Sequence, residues 1–167
     1  MAKTHHHPHA RMQKRETTPV QNAAIFVALA FVLIGVLGFL PGVTTDYGEM
    51  EIAGHHSEAK LLGLFQVSVL HNVLHLLFGL LGMFMSWFAM GARLFLLGGG
   101  LLYLLLGVYG FFVDESGPAN FLPVNTADDW LHVGLAAAMI GLGLALRAKP
   151  TAGSTDDVGD TARGPAG

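Results

Sequence analysis

Four stretches of this chain contain no Asp, Glu, Lys or Arg: Val20 to Leu40, Leu61 to Ala92, Leu94 to Val113 and Trp130 to Leu146. Each is near or above the ~17 residues with which a helix crosses a bilayer. A backbone in hydrocarbon must satisfy its own hydrogen bonds, so each stretch is expected to be helical. Composition agrees: the 167 residues are 52% hydrophobic and 13% charged, with a mean hydropathy of +0.51, against a usual charged share of roughly 25%. The expected fold is all-α, a four-span transmembrane bundle with spans at about 20–40, 61–92, 94–113 and 130–147 inside a membrane domain of residues 20–149. Arg11, Lys14 and Arg15 precede the first run as they would in a signal peptide. That run is longer than an h-region of about 7–15 residues, and FLPGVTTDYG offers no small-x-small cleavage site. It reads as a retained helix.

Basic residues set the orientation, because Lys and Arg near span ends stay on the cytoplasmic side. Lys3, Arg11, Lys14, Arg15, Arg93, Arg147, Lys149 and Arg163 fall on one side of a four-span arrangement, and Lys60 falls on the other with Asp46, Glu49, Glu51, Glu58, Asp114, Glu115, Asp128 and Asp129. The reading is a multi-pass protein of the cell membrane with both termini cytoplasmic and acidic loops outside. The basic residues are then topology markers, and neither they nor the net charge of −3 point to nucleic acid. The partners expected are the lipid bilayer and, left open, a second copy or another membrane protein. With no cysteine there is no disulfide, thiol chemistry or cysteine metal site.

Residues 1–19 and 150–167 are polar, rich in small residues and broken by Pro8, Pro19 and Pro165, too poor in apolar groups to offset their ordering entropy. They are expected to be disordered cytoplasmic tails. The tract His5, His6, His7 and His9 is read as a tail feature without a specific ligand.

Polar residues inside the spans are the informative ones. At 100° per residue, Ser68, His71, Asn72, His75, Gly79, Gly82 and Ser86 share one stripe of helix 2, and Asp128, His132, Ala136, Met139 and Gly143 share one of helix 4. With Trp87 at the inner interface, about 20 residues of helix reach the outer edge near Val67 and leave Leu61 to Gln66 as a helical extension outside it. His71 then lies ~6 Å and His75 ~12 Å below that edge. With Trp130 at the outer interface, His132 comes close to the level of His71, and Met139 close to that of His75. Helix 3 adds Gly100, Tyr103, Gly107 and Gly110 on one face and Tyr109 on another; helix 1 adds Gly35 and Gly38 and stops at Pro41 and Gly42. Asn125 or Thr126 is expected to cap helix 4, with Asp128 in its first turn.

Several segments together are similar to a known family: GFLPG at 38–42, LLGLFQVSVLHNVLHLLFGLLG at 61–82, YLLLGVYG at 103–110 and LPVNTADDWLH at 122–132. Over roughly Gln21 to Leu146 the chain resembles the bacterial membrane family catalogued as domain of unknown function 4383. The matching positions are Pro41, Gly42, Gln66, His71, Asn72, His75, Gly79, Gly82, Tyr103, Gly110, Pro123, Asn125, Asp128 and His132; at Asp129 the pattern expects Asn. The resemblance implies a four-helix bacterial membrane protein and no assigned activity.

Chemistry must therefore be argued from the cluster Ser68, His71, Asn72, His75, Asn125, Asp128 and His132. One reading is structural: neutral imidazoles, Asn72 and Ser68 bond across to Asn125, Asp128, His132 and a tyrosine hydroxyl, at about 0.6 kcal/mol per bond in membranes. This gives a structural or accessory bundle, with no catalytic residues. A second reading is a metal site, since histidines at i and i+4 share a helix face and His132, supported by Asp128, could supply a third ligand for a divalent ion such as zinc, copper, nickel or iron. No Glu lies between the two histidines, so metalloprotease chemistry is unsupported. Haem would need axial ligands from opposite sides, His71 with His132 or His75 with Met139, in a bundle that glycines leave narrow. Transport or proton conduction fits poorly, because below His75 the stripe is Gly79, Gly82 and Ser86.

Overall fold

The computed structural model describes residues 16–146. Four helices run α1 Pro19–Leu37, α2 Val69–Met85, α3 Ala89–Phe112 and α4 Thr126–Ala145. The N- and C-terminal tails, with the His5 to His9 tract, lie outside the described residues.

α1 starts on a capping box. Thr18 Oγ1 accepts from the Gln21 N–H, Gln21 Oε1 accepts from the Thr18 N–H, and Pro19 fills the first turn, where its missing N–H costs nothing. Gln21 also donates to the carbonyls of Ser86 and Trp87, at 2.9 and 3.2 Å, which ties the start of α1 to the end of α2. The two helices are therefore antiparallel. They touch closely along a seam of small residues: a Cβ at Gly79 would stand 2.7 Å from the Ala28 carbonyl oxygen, too close for any side chain. α3 and α4 form a second antiparallel pair, with Gly100 against Ala136 and Ile140, and Gly107 against Val133. α1 also packs on α3, so the two pairs close around Ala24, Ala28, Phe31, Phe95, Leu96, Tyr103, Ala136 and Met139.

Between α1 and α2 the chain departs from the all-helical expectation. Residues 61–66 are not an extension of helix 2 but part of a small antiparallel sheet of β1 Thr44–Thr45, β2 Lys60–Leu61 and β3 Phe65–Gln66, in the order β1-β2-β3. The reversal lies at Leu62 and Gly63, both at positive φ (55° and 69°), a conformation no helix contains. α2 begins where Ser68 caps it, with Ser68 Oγ accepting from the His71 N–H at 3.1 Å. The N–H groups of Val69 and Leu70 donate to Glu51 and Ile52, so the loop satisfies donors that a helix start leaves free. Ala59, Leu61 and Val67 are buried beneath this cap against Ile34, Leu37 and Phe65.

α1 and α3 are each long and apolar enough to cross a membrane; α2 is apolar but 17 residues long, and α4 carries Asp128 and Asp129 in its first turn. Apolar side chains are exposed on every helix, among them Phe26, Leu33, Leu77, Phe84, Leu101, Leu105 and Leu144.

Candidate functional site

Ser68 sets the rotational phase of α2, so its stripe faces inward: His71, Asn72, His75, Gly79 and Gly82 are all buried. α4 is phased by Asn125, whose Oδ1 accepts from the N–H groups of Ala127 and Asp128 while Asp128 Oδ2 accepts from the Asn125 N–H. That box buries Asp128, Asp129, His132, Ala136 and Met139. Both stripes and the cap agree with the sequence reading.

The two phased helices bring His71, His75 and His132 together. A ligating nitrogen from each lies within 4.8 Å of the others, and all three rings are buried. His71 and His75 stack with centroids 4.7 Å apart; His132 approaches His71 at 6.2 Å. Phe31 of α1 stacks on His75 at 5.8 Å, and Tyr103 of α3 meets His132 edge-on at 5.2 Å. Each helix thus contributes to the cluster or its walls. Toward the Trp87 end of the bundle Phe31, Phe78, Phe95 and Tyr103 form a continuous aromatic floor, with neighbouring centroids 4.9 to 5.3 Å apart.

The protons can be placed in part. His71 Nδ1 lies 3.2 Å from the Pro123 carbonyl oxygen, which can only accept, so Nδ1 carries the hydrogen and, in the neutral ring, Nε2 is the nitrogen that can accept or ligate. This is how a backbone carbonyl orients a metal-binding imidazole. By contrast, His75 Nδ1 and His132 Nδ1 are buried without any hydrogen-bond partner, each at a cost of about 1–3 kcal/mol.

The remaining candidates do not join the imidazoles directly. Ser68 is spent on its cap. Asn72 packs at Gly38, with Nδ2 3.9 Å from Met50 Sδ and Oδ1 unpartnered. Asn125 caps α4 and donates through Nδ2 to the Leu64 carbonyl at 2.9 Å. Asp128 Oδ2 accepts from the backbone N–H of Gln66 at 2.9 Å and of Asn125 at 3.0 Å, and makes no hydrogen bond to His132. The expected web of side-chain bonds between these groups is absent among the described residues, because backbone groups at the loop and helix ends claim the short polar side chains first. Met139 packs beside Phe78 at Gly99, below the imidazoles.

Asp128 precedes Trp130, in the turn ahead of the apolar part of α4. Burial pushes its carboxyl up to about 7, and the charges of Asp129 and Glu115 push the same way against the two N–H bonds. Asp129, which the sequence reading set aside, is as buried as its neighbour: it sits against Gly110, with Oδ1 unpartnered. Pro123 is marked in sequence only as a position of the family pattern, which does not reveal that its carbonyl meets His71, and Phe31 carries no sequence signal.

Two cavities flank the imidazoles. One of about 100 Å³ lies between them and α3, lined by Leu74, Tyr103, Leu106, Leu122 and Val124, with Tyr109, Ala119 and Phe121 at its more exposed side. The other, about 200 Å³, lies toward α1 and the sheet and is lined by Ile34, Leu37, Leu61, Phe65 and Asp128. Both are almost wholly apolar apart from the histidines.

No curated protein and no solved structure matches the chain. A family model does, across residues 21–145, which takes in all four helices, the sheet and every residue of the imidazole cluster. By that match the chain belongs to the family described as Domain of unknown function (DUF4383).

Proposed function

We propose that the protein is a small integral membrane protein whose bundle holds a transition-metal ion between His71, His75 and His132. The observation that carries the reading is the convergence of three buried ring nitrogens within 4.8 Å, two of the rings having an unpartnered Nδ1. The ligating nitrogens of three imidazoles at ~2.0–2.1 Å from a tetrahedral zinc-like ion stand about 3.3 Å apart, so the set closes on an ion when His71 and His75 turn out of their present stack to aim their lone pairs at one point. The donor set is all nitrogen, which suits zinc, copper, nickel or iron. Haem fits badly: a cavity of ~150 Å³ accommodates one benzene, and cavities of about 100 and 200 Å³ are too small for a macrocycle of four pyrroles.

All four helices cross the membrane in this reading, with both termini cytoplasmic and the sheet and acidic loops outside. Support comes from the exposed apolar residues on every helix and from Trp87 and Trp130, both 65% exposed, at opposite ends of the bundle. The aromatic floor under the imidazoles disfavours transport through a single chain, since apart from the Tyr103 hydroxyl it is built of Phe31, Phe78 and Phe95, which offer no polar group to an ion or proton.

Elemental analysis of protein purified from metal-replete cells tests the site. One tightly bound metal per chain is expected, falling below a tenth in His71→Ala, His75→Ala and His132→Ala. A metal-free protein, matched by variants that are merely less stable, would favour the second reading, a structural or accessory bundle. That reading draws on the polar contacts between segments, such as His71 to Pro123 and Asp128 to Gln66. Association with a second copy or another membrane protein is compatible with either.

A further inference from the structure

The site has space on two sides, and the two sides differ. We infer that the metal's open coordination position faces the 100 Å³ cavity toward α3 and takes a small neutral ligand of the diatomic kind, such as carbon monoxide or dioxygen. The inference rests on the metal reading above.

Size is the first argument. A cavity of ~150 Å³ holds one benzene, so about 100 Å³ admits a molecule of two or three heavy atoms and excludes a quinone ring or a lipid headgroup. Polarity is the second. Leu74, Leu106, Leu122, Val124 and Phe121 surround the space, and besides the histidines no ionisable carboxylate or amine lines it. An anion or a strongly hydrated molecule would lose its solvation there without compensation, at several kcal/mol. A neutral, weakly hydrated molecule loses almost nothing.

The third argument separates the two cavities. The α3-side cavity is lined by Tyr103, whose ring lies edge-on to His132 and whose hydroxyl makes no hydrogen bond among the described residues. Its ring stands beside two of the three imidazoles, His132 at 5.2 Å and His75 at 6.5 Å, and a hydroxyl carried on that wall suits a ligand that coordinates at one end and accepts at the other. The 200 Å³ cavity contains no hydroxyl, and the carboxylate in its wall, Asp128, is bound by backbone N–H groups. The way in is apolar too: Tyr109 and Phe121, about half exposed, stand at the more open side of the smaller cavity. A neutral ligand entering from that side meets no charged residue in the cavity wall. Carbon monoxide forms one dative bond from its carbon lone pair to the metal, with no bond broken and no electron transferred; dioxygen would draw its electron density from a reduced metal, copper(I) or iron(II), which is itself the reductant.

Copper(I), loaded anaerobically into the full-length protein in detergent, is the probe metal, and carbon monoxide is the probe ligand. Elemental analysis comes first: a chain that binds no copper loses this inference, and one that also holds no zinc, nickel or iron loses the metal reading with it. With one copper per chain, a single narrow infrared band of bound carbon monoxide is expected. Val124→Phe, which fills the α3-side cavity, should weaken carbon monoxide binding at least 10-fold; Leu74→Phe fills the same space should the first variant fail to fold. Ile34→Phe, in the other cavity, should leave the band in place, and Tyr103→Phe should shift its frequency. Copper bound without a carbon monoxide band overturns the inference while the metal site stands. So does a band lost in Ile34→Phe and retained in Val124→Phe and Leu74→Phe, or one indifferent to Tyr103→Phe.

Discussion

Substituting Gly79 by Ala tests whether the seam between α1 and α2 is as tight as described. A methyl group there would lie 2.7 Å from the Ala28 carbonyl oxygen and from Val32 Cγ2, and 2.8 Å from the Val32 backbone nitrogen. Two of these three atoms are backbone, so the methyl cannot be accommodated by a rotamer change. Restoring an ordinary contact of 3.4 Å requires α1 to retreat by about 0.7 Å. Overpacking of this kind costs typically 1–3 kcal/mol, and here it also draws Phe31 away from His75. Gly98, in the interior of α3, is the matched control, because a methyl group there meets nothing within 4 Å. Relief of glycine's backbone entropy should leave Gly98→Ala neutral or up to about 1 kcal/mol more stable. Thermal unfolding in one detergent, followed by circular dichroism, should therefore show a lowered midpoint for Gly79→Ala and an unchanged or raised one for Gly98→Ala. Equal midpoints for Gly79→Ala and the unaltered chain would refute the seam.

Asn125→Ala removes the cap of α4 and its bond to Leu64, and should cost about 1–2 kcal/mol of stability; an unchanged midpoint would show that α4 is not held this way. Asp128 makes stability depend on pH. Its raised folded value, about 7 against an ordinary ~3.9, means that the folded chain keeps a proton which the unfolded chain releases between about pH 4 and 7. That contribution is present at low pH and is lost as pH rises through the window, by up to about 4 kcal/mol. Denaturant titrations from pH 4 to 8 should show the slope in the unaltered chain and a flatter one in Asp128→Asn; a stability that rises with pH over this range would contradict the assignment.

Much of this architecture is legible in the sequence, because helices in an apolar chain announce themselves through small and polar residues at helical spacing. Ser68 to Ser86 and Asp128 to Gly143 are read correctly as buried stripes, and the level match between His71 and His132 follows from counting along α2 from the edge that Trp87 sets and along α4 from Trp130. The sheet is not legible. Its strands are two residues long, too short for any alternation to register, and LLGLFQ is apolar enough to read as more helix. What decides it is the positive φ at Leu62 and Gly63 and the cap at Ser68. Nor could residue types reveal how polar groups pair. The short side chains of Ser68, Asn125 and Asp128 are engaged by backbone groups of the helix starts and the adjoining loop, and the bond that orients His71 comes from a proline carbonyl. The imidazoles are therefore left with each other, which moves the balance from interhelical glue toward a site.

X-ray absorption at the metal edge tests that conclusion most directly, on the purified full-length chain and on the three histidine variants. The account predicts three imidazole nitrogens at about 2.0–2.1 Å, visible through the outer scattering of their rings, and loss of the bound metal in each of His71→Ala, His75→Ala and His132→Ala. An oxygen-only coordination shell, or a metal retained in full by all three variants, would contradict it.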